Sequence, residues 1–153
     1  MGEADLVERL RAAGCVFAED EVSVLRESAA SEAQLEAMTA RRVAGEPLEY
    51  VVGWAEFCGL RIGVDAGVFI PRRRTEFLVA VAMGLTPAGA LVVDLCCGSG
   101  ALGLALGAAV PEIELLACDI DPVAVACARG NGVNAVLGDL FEPLPIGVRG
   151  RID

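Results

Sequence analysis

The sequence predicts an α/β protein: half of a doubly wound, Rossmann-like sheet, preceded by a small helical segment and a β-hairpin. Three observations predict it. Residues 90–139 run strand, helix, strand, helix, strand by their hydrophobic patterning. The runs ALVVDL and IELLACD are almost continuously apolar, as expected of parallel strands covered on both faces. Between the first strand and its helix, VVDLCCGSGALGLAL breaks at two cysteines and a glycine pair, the texture of a ligand-holding loop at a strand's carboxyl end.

The elements follow in chain order. Residues 1–45 form a helical amino-terminal segment: Leu6, Val7 and Leu10 share one face, Val22 and Leu25 mark a second short helix, and Leu35 and Met38 a third that begins near Ser31 and ends at Gly45. Residues 46–72 change to short runs rich in aromatic and β-branched residues, WAEFCG, LRIGV and GVFIP, punctuated by Gly53, Gly59, Gly63 and Gly67, which predicts a hairpin linker. Residues 73–153 carry the α/β half: a helix from about Arg73 to Gly84, the strand ALVVDL, a helix from about Ser99 to Ala109, the strand IELLACD, a helix from Asp121 to about Gly130, and the strand NAVLGD.

Composition narrows the chemistry. The chain has 153 residues, enough for one domain with a real core, and its apolar runs are interrupted well before the roughly 18 residues of a membrane span. The start, MGEADLVERLRAAG, lacks the basic-then-apolar order of an export signal, so a cytoplasmic location without membrane attachment is expected. The net charge of −10 disfavours direct binding to nucleic acid through a general field. All twelve basic residues are Arg and there is no His, which excludes lysine Schiff-base chemistry and histidine triads within this chain. Six cysteines with no C-x-x-C spacing read as free thiols in a reducing compartment, with no metal site expected.

Each of the three strands closes on a carboxylate: Asp94, Asp119 and Asp139. A single Asp there is common as a turn or cap residue, and Asp121 before Pro122 has that role. Three in register with a glycine loop point to a ligand at the carboxyl edge of the sheet. Gly98-Ser99-Gly100-Ala101-Leu102-Gly103 also fits the G-x-G-x-x-G spacing of a dinucleotide site, but Asp94 would face a pyrophosphate unfavourably. It suits a cationic ammonium instead, while Asp119, 21 residues after Gly98, suits ribose hydroxyls and Asp139 an adenine amino group. S-adenosylmethionine presents those groups in that order and has no pyrophosphate.

The segments GEPLEYVVGWAEFCGLRIGVDAGVFIPRRRTEFLV, VVDLCCGSGALGLAL, ACDIDPVAVACARGN and GDLFEPLP together resemble the protein-(glutamine-N(5)) methyltransferases that modify peptide chain release factors, over residues 41–153. The resemblance implies a class I methyltransferase sheet, S-adenosylmethionine as cofactor, and methyl transfer to a glutamine side-chain amide in a loop of a release factor. An amide nitrogen is a poor nucleophile, so such catalysis rests on holding it in line with the methyl group in a dry pocket. It also implies a cofactor set of Thr75, Asp94, Cys96, Cys97, Gly98, Ser99, Gly100, Asp119, Asp139 and Leu140.

The family's catalytic clamp, Asn-Pro-Pro-Tyr at the end of a fourth strand, has no match in this sequence, so no catalytic residue is expected within the chain. Arg151-Ile152-Asp153 resembles the start of that strand, and the chain is expected to be the amino-terminal part of an enzyme of roughly 250 residues, inactive alone. The Asp94 strand is then expected to be an unpaired apolar edge.

Two departures stand out. Cys96 takes the first glycine-loop position, where the family usually has Gly, and Arg72-Arg73-Arg74-Thr75-Glu76 replaces Arg-Pro-acid-Thr-Glu. One reading places Thr75 near the cofactor and the arginines near an acidic or polar partner; the other is a solvated helix start with Thr or Arg side chains capping it. The helical segment is shorter than the family's substrate-docking domain. Rival readings are a nicotinamide-dependent oxidoreductase, which would need no carboxylate at Asp94, a non-catalytic cofactor-binding or interaction module, and a methyltransferase acting on nucleic acid or a small molecule.

Overall fold

The computed structural model describes residues 2–153, which divide after Gly53 into two compact units. The first is all-helical: α1 (Glu3–Ala12), α2 (Ala18–Ser28), α3 (Glu32–Val43) and α4 (Leu48–Val52). Leu6, Leu10, Val22, Leu25, Leu35, Met38 and Val51 form its core, the apolar faces that the i, i+3, i+4 spacing marks. Ser31 caps α3 by accepting from the Gln34 N–H at 3.2 Å, while the Gln34 side chain accepts from the Ala30 N–H at 2.8 Å. A bidentate Arg9–Glu36 pair and an Arg42–Glu21 pair at 2.6 Å bridge helices distant in sequence.

The helix α4 lies where the sequence pattern predicts the start of the hairpin linker. Its LEYVV run is β-branched and aromatic enough to read as extended. It is bounded by Pro47 at the N-cap and by Gly53 at φ +82°, a left-handed C-cap that ends the helix.

The second unit opens with the hairpin, β1 (Trp54–Phe57) paired antiparallel with β2 (Leu60–Gly63) from Trp54↔Gly63 to Phe57↔Leu60. Its two-residue turn has Cys58 at φ +50° and Gly59 at φ +75°, the double positive φ that matches strand twist. The Cys58 N–H donates to Glu76 Oε1 at 3.1 Å, tying that turn to α5 (Glu76–Leu85). A single 3-10 turn, Arg73–Thr75, precedes α5, and Thr75 makes no capping hydrogen bond through its side chain.

The sheet is parallel, in the order β3 (Leu91–Leu95), β4 (Glu114–Asp119), β5 (Ala135–Leu137), joined by α6 (Ala101–Ala109) and α7 (Pro122–Gly130). Leu91, Val93 and Leu95 pack with Leu116, Val136, Leu144 and Val148 on one face. The alternate residues Val92 and Asp94 therefore lie on the other face, toward α6. That face and the α7 side close over Cys97, Ala117, Val125, Ala128, Val133 and Ala135. Beside β3, Asp153 donates its N–H to the Leu91 carbonyl at 3.2 Å and accepts from the Leu91 N–H at 3.0 Å.

Candidate functional site

The carboxyl ends of β3 and β4 meet at the glycine loop. Cys97 donates its N–H to the Cys118 carbonyl at 3.0 Å, extending the β3–β4 ladder one step past the strand. The loop then turns, with the Gly100 N–H donating to the Cys97 carbonyl at 2.7 Å, and α6 begins. Gly100 takes φ +78°, and a Cβ there would lie 2.7 Å from Val133 Cγ2. Gly103 permits a close approach of α6 to the sheet: a Cβ would meet Leu115 at 2.8 Å and Asp94 Oδ2 at 3.2 Å.

Asp119 organises the loop. Its Oδ2 accepts from the Gly98 N–H at 2.9 Å and its Oδ1 from the Asp121 N–H at 3.0 Å. As the last residue of β4 it presents the carboxylate at the strand's end, where two acceptor positions remain for a ligand. Asp121 accepts from the Val123 N–H at 2.8 Å, the capping role read from Asp121-Pro122.

A cleft of about 390 Å³ opens at this point. One wall is the glycine loop with Cys96, Cys97, Gly98, Ser99 and Asp119; the other is the segment from Gly67 to Thr75, with Phe69, Arg72 and Thr75. Six of the ten residues read from the sequence as cofactor contacts thus line one cavity. Phe69 and Arg72 are not among the ten. Phe69 is 67% exposed, and the Arg72 guanidinium stacks over its ring at 5.7 Å, so an aromatic and a cation form the lip. The signal for Phe69 is an apolar aromatic close to Pro71 and three arginines, in a segment with no strand or helix to bury it.

The other four residues lie outside the cleft lining. Gly100 is the N-cap of α6, behind the loop. Asp94 is the penultimate residue of β3, and its Oδ2 accepts from the Gly103 N–H at 3.1 Å; it lines an adjoining apolar recess with Leu78, Val92, Leu102 and Leu106. Burial pushes its carboxyl above the ordinary value, against the pull of the Gly103 N–H, and the like charge of Asp119 adds to the rise. Asp139 does not close β5, which ends at Leu137; it is exposed two residues further on. Leu140, at φ +45°, accepts from the Cys118 thiol at 2.9 Å through its carbonyl.

The buried thiols of the site are neutral groups. Burial, with Asp94 and Asp119 nearby, pushes Cys97 up to about 12, and burial raises Cys118 as well. Among the described residues no cluster of three or more Cys, Asp or Glu could hold a metal ion, and no helix is long and apolar enough to cross a membrane.

Residues 61–139 match the family model described as "Methyltransferase small domain". Three curated relatives are each named release factor glutamine methyltransferase. That of Geobacter sulfurreducens is 40% identical over 113 residues, covering 70% of this chain and 40% of its own. That of Aliivibrio fischeri is 39% identical over 118 residues, covering 72% and 42%. That of Mycolicibacterium smegmatis is 41% identical over 117 residues, covering 72% and 41%. The chain spans less than half the length of these relatives. A solved structure, coclaurine N-methyltransferase bound to N-methylheliamine and SAH, aligns with 94% of this chain and 51% of its own at 17% identity and a TM-score of 0.39, too low to bear on function.

Proposed function

This chain belongs to the methyltransferase small domain family, and we propose that its cleft binds S-adenosylmethionine as the cofactor half of an N-methyltransferase acting on a glutamine side-chain amide of a peptide chain release factor. The observation that carries the reading is Asp119: it anchors the Gly98 N–H at the cleft wall. A carboxylate at that position accepts from ribose hydroxyls, and Asp94, under the start of α6, is the group that disfavours a pyrophosphate there.

The donor set fits the rest of that ligand. Asp119 takes the ribose hydroxyls, the loop from Cys96 to Gly100 borders the methionine portion, and Thr75 faces it from the opposite wall. Burial raises the Asp94 carboxyl, and a cationic ammonium favours its charged form against that desolvation. Asp139 and Leu140 stand outside the cleft lining, at the end of the sheet beyond β5. When bound, the cofactor supplies an activated methyl on a sulfonium. This chain's residues orient it and exclude water. In this reading the groups that align the amide nitrogen lie outside residues 1–153; the chain spans less than half the length of its curated relatives.

Calorimetry on the chain tests the cofactor: S-adenosylmethionine binds and NAD does not, whereas NAD binding of similar strength would sink the proposal. Transfer is tested with labelled cofactor and a release factor or a Gly-Gly-Gln peptide. Residues 1–153 give no label above background, and a version extended through a fourth strand does; turnover by the short chain would show that its catalytic groups lie among the residues assigned to cofactor binding.

A further inference from the structure

We propose that Asn131, the residue that caps α7, is a positioning residue that holds the two walls of the cleft at a fixed separation and thereby sets cofactor affinity. Its side chain uses both donors and its acceptor on backbone groups of the two walls' supports. Nδ2 donates to the Gly63 carbonyl at 2.8 Å and to the Ser99 carbonyl at 3.0 Å, and Oδ1 accepts from the Gly63 N–H at 2.8 Å. Gly63 ends β2 and leads into the segment that carries Phe69, Arg72 and Thr75; Ser99 sits in the glycine loop. One amide is thus paired with one residue in the manner of a short β-bridge and clamps it to the opposite loop.

The contact is built from both ends. A Cβ on Gly63 would lie 2.8 Å from Asn131 Oδ1, so the glycine is required there by the approach of the amide rather than by a left-handed backbone. The Cys127 thiol, one turn earlier on α7, also donates to the Gly63 carbonyl, at 3.3 Å, so the same helix end grips that residue twice. Asn131 is half-buried, which leaves few waters to take over three hydrogen bonds at once. Without the amide, the two walls lose their shared anchor and drift independently, and an ångström of drift is enough to misplace contacts from both sides.

The affinity part of this inference rests on the cofactor reading; the mechanical part does not, and the experiment separates them. Hydrogen exchange by mass spectrometry, without ligand, is followed in peptides covering residues 64–75 and 96–100 of the whole chain. Asn131→Ala speeds exchange in both peptides together, and at a temperature where the variant remains folded its Kd for S-adenosylmethionine rises at least tenfold. Gly63→Ala, which expels the amide without altering it, reproduces both effects. Asn131→Asp supplies the control for role: at neutral pH its carboxylate keeps the acceptor for the Gly63 N–H but donates to neither carbonyl, so it does not restore the affinity lost in Asn131→Ala. Faster exchange in one wall only, or variants that bind as the unsubstituted chain does, would overturn the proposal. Should the unsubstituted chain bind no S-adenosylmethionine, the cofactor reading fails and the paired exchange alone decides for or against the joint.

Discussion

Replacing Asp119 by Ala removes the acceptor for two N–H groups, Gly98 at 2.9 Å and Asp121 at 3.0 Å. Hydrogen bonds to a charged acceptor contribute about 1.5–3 kcal/mol each when buried, and Asp119 is only half-buried, so about 1–1.5 kcal/mol apiece is the reasonable share. The sum, about 2–3 kcal/mol, lowers the melting temperature of a unit of this size by roughly 10–20 °C. Asp121→Ala is the matched control: it removes the cap on Val123, about 1 kcal/mol, and leaves the Gly98 anchor in place. Calorimetric scans of the three proteins without ligand read the stability, and hydrogen exchange at residues 96–100 reads the loop. Asp119→Ala opens that loop and Asp121→Ala does not. A drop below about 4 °C for Asp119→Ala, or equal loop exchange in both variants, would refute the view that this carboxylate organises the site before any ligand arrives.

Two further outcomes follow from the same geometry. Asp94 has its folded value raised by burial, so the stability it permits is full below the ordinary carboxylate value and is lost as pH rises through the raised folded value. Asp94→Asn, nearly isosteric and still able to accept from Gly103, therefore gains on the parent as pH climbs above about 4, read from urea midpoints, while losing affinity for a cationic ligand; a stability difference that stays constant with pH would count against the burial argument. Cys96 sits at φ +58°, where a side chain costs about 1–2 kcal/mol and glycine only its extra chain entropy, so Cys96→Gly raises the stability of the unliganded chain by about 0.5–1 kcal/mol, and a less stable variant would show that the thiol makes contacts worth more than the strain.

How far the sequence can be read depends on whether a signal is local. The apolar runs at Leu91–Leu95 and Glu114–Asp119 announce parallel strands because both of their faces are covered, and the glycine spacing announces a strand-to-helix turn because Gly100 takes φ +78° where α6 starts and Gly103 lets α6 approach Asp94 and Leu115 of the flanking strands. The carboxylates show where that logic thins. Treating all three as strand-closing residues puts them on one edge, but period two distinguishes them: Asp119 is the last residue of its strand and faces the cleft, whereas Asp94 is penultimate, shares a face with Val92 and turns under α6. That distinction is available in the pattern. The position of Asp139 is not, since β5 stops after three residues and the chain bends at Gly138, where a Cβ would lie 2.8 Å from the Pro143 ring. Asn131 marks the limit more sharply. It stands inside a segment that carries the family resemblance, yet its partners are 68 and 32 residues away, and nothing in ARGNG states that an amide there will meet Gly63 and Ser99. Local pattern locates the loop and the strands at the cleft; what joins that loop to the segment after β2 is a long-range contact made by a residue whose neighbours in sequence give it only the look of a helix end.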